Sequence, residues 1–333
     1  DVGLVEDVGA DDLHDDLAAD PICDALGLDG VVDDLAVGRR NPVGLEQPHR
    51  LHAELGFRID PVTAALAQQL TLDAVAWERV GQELERWLVH APQPERGLDA
   101  LIYTGAERHF PTLRGLRGCP MPGGEDAWAR TRAVLADVAT RRSGDRDRDW
   151  PLMLAALLHA TGRPAVTRNR RGRMEAPGQA QAAAGRVVPF LYGVDRGQDL
   201  ARSVTVLVRE QEAVERLAAE GAGMPAYRRL ARRVDTDLLL RLAAAIHAAW
   251  PGDDAGFPAG ERAEALLAGE GLRGRSPEPI LGGRDAADLG VPSGPAMGQW
   301  LERAFQAQMD GAFADREGGR AWLARALAEA GEA

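Results

Sequence analysis

The stretch Leu157-Leu158-His159-Ala160-Thr161-Gly162-Arg163-Pro164 ends an apolar helical run on an imidazole. An imidazole followed by a carboxylate at such a helix end, then a glycine and a basic residue, suits divalent-metal chemistry on phosphoesters. The two side chains supply donors, and open coordination positions take water and phosphate. Here the carboxylate position holds Ala160. The chain has no Cys-x-x-Cys pair, no Ser/His/Asp constellation and no phosphate-binding glycine loop, and Gly282-Gly283 stands alone. The remaining candidates for chemistry are arginines. Arg163, Arg168, Arg170, Arg171 and Arg173 crowd one segment, and Arg228, Arg229, Arg232 and Arg233 crowd another. Both clusters suit RNA phosphates, and a solvated arginine-rich surface is the plain alternative for both.

Composition tempers the arginine signal. All 39 basic residues are arginine, none is lysine, and Asn occurs only twice, a bias expected of GC-rich coding sequence. Arginine abundance alone therefore says nothing about phosphate. The formal charge of −12 is similarly uneven: residues 1–36 carry twelve acidic residues and no basic one, which leaves residues 37–333 formally neutral. Net acidity thus does not exclude a nucleic-acid partner for the main body. No apolar run approaches membrane-spanning length. Cys23 and Cys119 are too few for a disulfide framework, so no disulfide partner and a reducing, cytoplasmic setting are expected.

The elements that must position these residues are helices. Residues 1–47 lack periodicity and aromatics and read as an acidic, poorly ordered segment. A helix opens at Pro61 with Asp60 as N-cap, and a second runs through AWERVGQELERWL with Trp77, Val80, Leu84, Trp87 and Leu88 on one face. Further helices are expected over roughly 98–103, 125–141, 149–160, 179–191, 198–219, 224–233, 235–249, 260–269, 295–310 and 315–330. FPTLRGLRGCPMPGG reads as a loop, and PAVTRNRRGRMEAPG as a short exposed hairpin or loop around Arg171-Gly172. The expected fold is all-α: stacked helical domains with one short hairpin.

Several motifs then share an order. Gly283-Arg284-Asp285, Leu289-Gly290, Gly294-Pro295, Gly298, Gln308 and Asp310-Gly311 follow one another in the C-terminal region, and LHAELGFRIDPVTAALA lies far upstream. Together they resemble bacterial tRNA nucleotidyltransferases (CCA-adding enzymes) and their poly(A) polymerase relatives over about residues 50–330. LRGCPMPGGEDAWARTRAVL and LMLAALLHATGRPAVTRNRRGRMEAPGQAQAAA resemble the HD-type domain of long members. The resemblance implies nucleotidyl transfer to the 3′ end of tRNA with Mg²⁺, ATP and CTP, on a sheet-based head with paired carboxylates. No such arrangement occurs here: Asp15-Asp16 and Asp33-Asp34 are adjacent and would point to opposite faces of a strand. The expectation is a chain without the catalytic α/β head, so that no catalytic residue and no cofactor is assigned to it, with residues 1–47 an out-of-frame translation of upstream sequence. Glu46-Gln47-Pro48-His49-Arg50 looks like the family's neck opening but sits too close to LHAELGF. Glu78, Arg79 and Glu83 resemble the neck's Glu-Arg segment, with Arg79–Glu83 surface pairing as the alternative.

The resemblance also names the HD ligand positions. They read Arg130 after Asp126-Ala127-Trp128-Ala129, His159 and Ala160, Gln179 after Gly178, Gln211 after Glu210, and Ile246 beside His247. Arginine cannot ligate and repels a cation, so a vestigial site with no metal is expected. Trp128, Trp150 and Trp300 could stack a base but read more readily as core. The organisation expected is an acidic segment (1–47), a neck (48–105), a degenerate HD-like helical domain (106–255) and a tRNA-binding-like tail (256–333). The function expected is the RNA-binding helical region of a tRNA nucleotidyltransferase-like protein, with tRNA or other RNA as partner. An HD-type metal-dependent phosphohydrolase and a helical interaction scaffold without an RNA role are the alternatives.

Overall fold

The computed structural model of the chain describes residues 59, 61–69, 77–194, 197–250 and 256–331. The acidic segment 1–47, both adjacent Asp pairs, Glu46–Arg50, LHAELGF, Cys23 and the Asp60 cap lie outside the described residues. Among the described residues there are sixteen α-helices and a single two-stranded antiparallel hairpin, so the fold is all-α. The residues divide into two compact units, up to Thr205 and from Val206.

The first unit contains α1 (Pro61–Gln69), α2 (Trp77–Glu85), α3 (Glu95–Tyr103), α4 (Pro111–Arg114), α5 (Ala127–Thr140), α6 (Arg146–Leu158), α7 (Arg163–Val166), β1 (Arg168–Arg170), β2 (Arg173–Glu175) and α8 (Gln179–Val194). Helix α6 is its axis. Every residue from Asp149 to Leu158 is buried, the pattern of a helix covered on all sides. It begins earlier than its apolar run suggests, because Asp145 caps it by accepting from Asp147 N at 3.0 Å. The buried Asp149 carboxylate accepts from the Ser143 and Gly144 amides, each at 2.8 Å, which ties down the preceding turn.

Helix α2 continues as a π-helical turn, Arg86–His90. Its terminal carbonyls would be orphaned, but Arg142 donates to Leu88 O at 3.2 Å, to Val89 O, and to Ala91 O at 2.9 Å. The apolar face of α2 is as expected at Val80 and Leu84, and Trp87 and Leu88 continue it into the π turn, whereas Trp77 is exposed. Gly81 is the residue that brings α2 onto α8, since a Cβ there would lie 2.0 Å from the Val194 carbonyl oxygen. Glu83 pairs with Arg86 at 2.9 Å rather than with Arg79, which is exposed.

The second unit contains the end of α9 (Gln198–Glu210) from Val206 on, and then α10 (Ala213–Ala219), α11 (Met224–Arg233), α12 (Thr236–Ala248), α13 (Pro258–Gly269), α14 (Gly283–Asp288), α15 (Pro295–Met309) and α16 (Arg316–Ala330). The single helix expected over 198–219 is two. The Gln211 side chain donates to Val208 O at 2.8 Å, taking up a helix-end carbonyl, and the chain turns there. The C-terminal elements share a core of Leu281, Ala286, Val291, Trp300, Leu323 and Leu327. Helix α14, absent from the periodicity reading, is held by the buried Asp285. That carboxylate accepts from Gly282 N at 3.0 Å, Arg316 at 2.8 Å and Arg320 at 2.9 Å. The Gly282 amide first, with the two guanidiniums, holds its pKa down at about 2.

Candidate functional site

Most of the residues at the positions expected to be HD-like are buried, and Ile246 is half-buried. Asp126 is the N-cap of α5, its two carboxylate oxygens accepting from Ala129 N and Gly118 N, each at 2.8 Å. Arg130, one turn on, is 1% exposed and reaches Glu125 at 3.3 Å. Burial pushes its pKa down, and Glu125 opposes that.

His159 lies at the end of α6 and is buried. Its Nδ1–H donates to the Ala156 carbonyl at 2.8 Å, which fixes the tautomer, since a carbonyl only accepts. Burial above all, with the positive charges of Arg163 and Arg130, lowers its pKa to about 4 despite the Ala156 bond. The imidazole is therefore neutral at pH 7.

The remaining positions are Ala160 and Gln179, both buried, in the first unit, and Gln211, buried, and Ile246, half-buried, in the second. His247, beside Ile246, has Nδ1 3.3 Å from Glu215 and Nε2 2.9 Å from Gly256 O, and its ring stacks on Phe257. Within the first unit a divalent cation does not fit the donors present: one imidazole sits in the field of two guanidiniums, beside an alanine and an amide. No group of three or more His, Cys, Asp or Glu able to hold a metal occurs among the described residues.

The glycine of LLHATGRP has a packing reason. At φ −74° it needs no special backbone freedom. A Cβ on Gly162, however, would lie 2.1 Å from Gln179 O and 2.4 Å from Ala183 N, because α8 crosses directly over the turn. Arg163 follows in the first turn of α7 and is buried, so it does not share the exposed surface of the other arginines in its segment.

The hairpin is the exposed feature of this region. Arg168 pairs with Glu175, Asn169 with Met174 and Arg170 with Arg173 in register. Its tip is Arg171-Gly172 with φ 53° and 84°, positive at both central residues as in a type I′ turn. Arg171 is the one non-glycine residue with positive φ among the described residues. The Asn169 side-chain oxygen accepts from Gly172 N at 2.9 Å and stabilises the turn. Arg168 lies 4.0 Å from Glu175, a loose pair, while Arg170, Arg171 and Arg173 are exposed and show no ion pair among the described residues.

The second cluster, on α11, is arranged differently. Arg228 forms a two-pronged pair with Glu270, with Nε 2.8 Å from the carboxylate, and lies 3.4 Å from the carbonyls of Gln308 and Met309 at the end of α15. Arg229 pairs with Asp310, Arg232 with Glu302 at 3.3 Å, and Arg233 with Glu210 at 2.9 Å. Arg232 also lies over Phe305, 4.8 Å from the ring centroid. The three tryptophans considered for base stacking, Trp128, Trp150 and Trp300, are all buried in the core.

Fold and site together define an all-α protein with an exposed arginine hairpin and a buried, neutral His159 between two arginines. No family model matches the chain. It is 27% identical over 304 residues to the A-adding tRNA nucleotidyltransferase of Deinococcus radiodurans, across 86% of this chain and 68% of that protein. No described helix is long and apolar enough to cross a membrane.

Proposed function

We propose that this chain is the RNA-holding helical region of a tRNA nucleotidyltransferase-like protein, and that its hairpin contacts RNA phosphates. The similarity over 304 residues to an enzyme whose name specifies tRNA carries the reading. The unpaired, exposed Arg170, Arg171 and Arg173 supply a surface able to act on it. Nucleotidyl transfer would in addition require Mg²⁺, ATP and CTP on a carboxylate pair that is not assigned to this chain, so the proposal concerns binding. Phosphate contacts position an RNA without reading its sequence. Holding tRNA for an active centre elsewhere requires only that.

Fluorescence anisotropy of labelled tRNA with the full chain tests this. Binding should weaken steeply between about 50 and 200 mM salt, as release of counterions demands. Absence of binding at the lower salt would refute the proposal and leave the helical scaffold. Phosphodiesterase activity stimulated by Mn²⁺ or Ni²⁺ and lost in His159→Ala would instead restore the phosphohydrolase, against the donor set described above.

A further inference from the structure

Beneath the hairpin lies a cleft of about 370 Å³, open to solvent, formed by the loop before α5, the start of α7 and the strands. Its volume falls within the range of small-molecule sites, about 300–1,000 Å³. Two arginines, Arg117 and Arg168, line it, and no carboxylate does. Arg168 is more than half exposed and only loosely paired, whereas Arg117 shares its charge with Glu107 at 3.0 Å. Cys119, Pro164 and Met174 provide apolar surface. Thr167 and Asn169 add a hydroxyl and an amide. The Asn169 side-chain oxygen already accepts from Gly172 N at 2.9 Å, which orients its amide.

We propose that this cleft takes one unpaired nucleotide of a single-stranded RNA segment, with its phosphate on Arg168 and its base between Pro164 and Met174. The inference rests on the RNA-holding reading above and deepens it from phosphate contact to a nucleotide subsite. A base flat enough to slide between two apolar side chains, edged by a hydroxyl and an amide, matches the way proteins hold extruded RNA bases. The guanidinium at the rim matches the phosphate that such a base carries. The hairpin then serves two ends of one strand: its tip arginines meet flanking phosphates while its base borders the nucleotide. A free nucleotide offers the same chemistry, so the test must separate it from RNA.

A short single-stranded oligoribonucleotide carrying 4-thiouridine, irradiated with the full wild-type chain, should crosslink to the peptides containing Cys119, Pro164 or Met174. Duplex RNA carrying the same base should not. Met174→Trp, which fills the cleft, should weaken single-strand binding about tenfold, and Arg168→Ala should act in the same direction. Adenosine monophosphate that competes as strongly as the oligonucleotide would reassign the cleft to free nucleotide and overturn the RNA assignment. Crosslinks mapping elsewhere, with Met174→Trp binding like wild type while Arg170, Arg171 and Arg173 still matter, would overturn the subsite and spare the RNA-holding reading. Failure of the wild-type chain to bind any RNA would remove both.

Discussion

The arginines of the hairpin and those of α11 are equally dense in sequence, yet their surroundings are opposite. On α11 each guanidinium meets a carboxylate from another helix or loop: Glu270, Asp310, Glu302 and Glu210. On the hairpin Arg170, Arg171 and Arg173 are exposed on a two-stranded ribbon and have no such partner among the described residues. A third setting, Arg130 and Arg163, is buried beside a neutral histidine. One residue type therefore serves as a clamp in one place, as a surface charge in another and as a buried neighbour of a neutral imidazole in the third. A cluster that already holds carboxylates must exchange them for phosphates, while an unpaired one need only release counterions.

The comparison can be broken in several places. The largest effect is expected at Gly162. Gly162→Ala drives a methyl into the α8 backbone and should cost about 3 kcal/mol or more, read as a lower urea midpoint, with loss of the hairpin's support. An unchanged midpoint would mean that α8 does not cross the turn as described. Next is the buried setting. His159 has a folded pKa of about 4, below its unfolded value of about 6.5. Its contribution is therefore fully present above pH 6.5 and is lost as pH falls through 4. Wild-type stability should decline across that window by on the order of 3 kcal/mol, and His159→Gln should lose that slope in urea titrations.

The exposed and clamped clusters are then set against each other directly. Replacing Arg170, Arg171 and Arg173 together by alanine should weaken tRNA binding by about ten- to a hundredfold and reduce the salt slope by about two. The urea midpoint should barely move. Arg228→Ala should do the reverse: about 1–2 kcal/mol less stable, with tRNA binding little changed. Arg229→Ala, at a largely exposed pair, should cost under about 0.5 kcal/mol. If the Arg228 variant loses tRNA binding more than the triple variant does, the two clusters have been assigned the wrong way round.

Much of the helix order was legible from sequence, because apolar residues recur at helical spacing and Pro, Gly and Asp mark the ends. The tip at Arg171-Gly172 was visible for a similar local reason, although Arg171 itself adopts a left-handed conformation that arginine rarely favours. Helix α14 escaped notice because its cause is distant: Asp285 is anchored by Arg316 and Arg320, about thirty residues on. The break at Gln211 was equally hidden, since it depends on where one side-chain amide reaches. Asp149 and Arg142, a buried turn anchor and the donor to the Leu88–Ala91 carbonyls, gave no pattern at all.

The sequence by itself determined that His159 has Ala160 beside it rather than a carboxylate. Coordination depends on donor atoms, and these are set by residue type. Only the tertiary structure decided that Gly162 is required by the approach of α8, that Arg163 is buried, and that the α11 arginines are paired while Arg170, Arg171 and Arg173 have no ion pair among the described residues. Those outcomes depend on which distant carboxylate, backbone or empty space faces each side chain, and spacing along one chain does not contain that information.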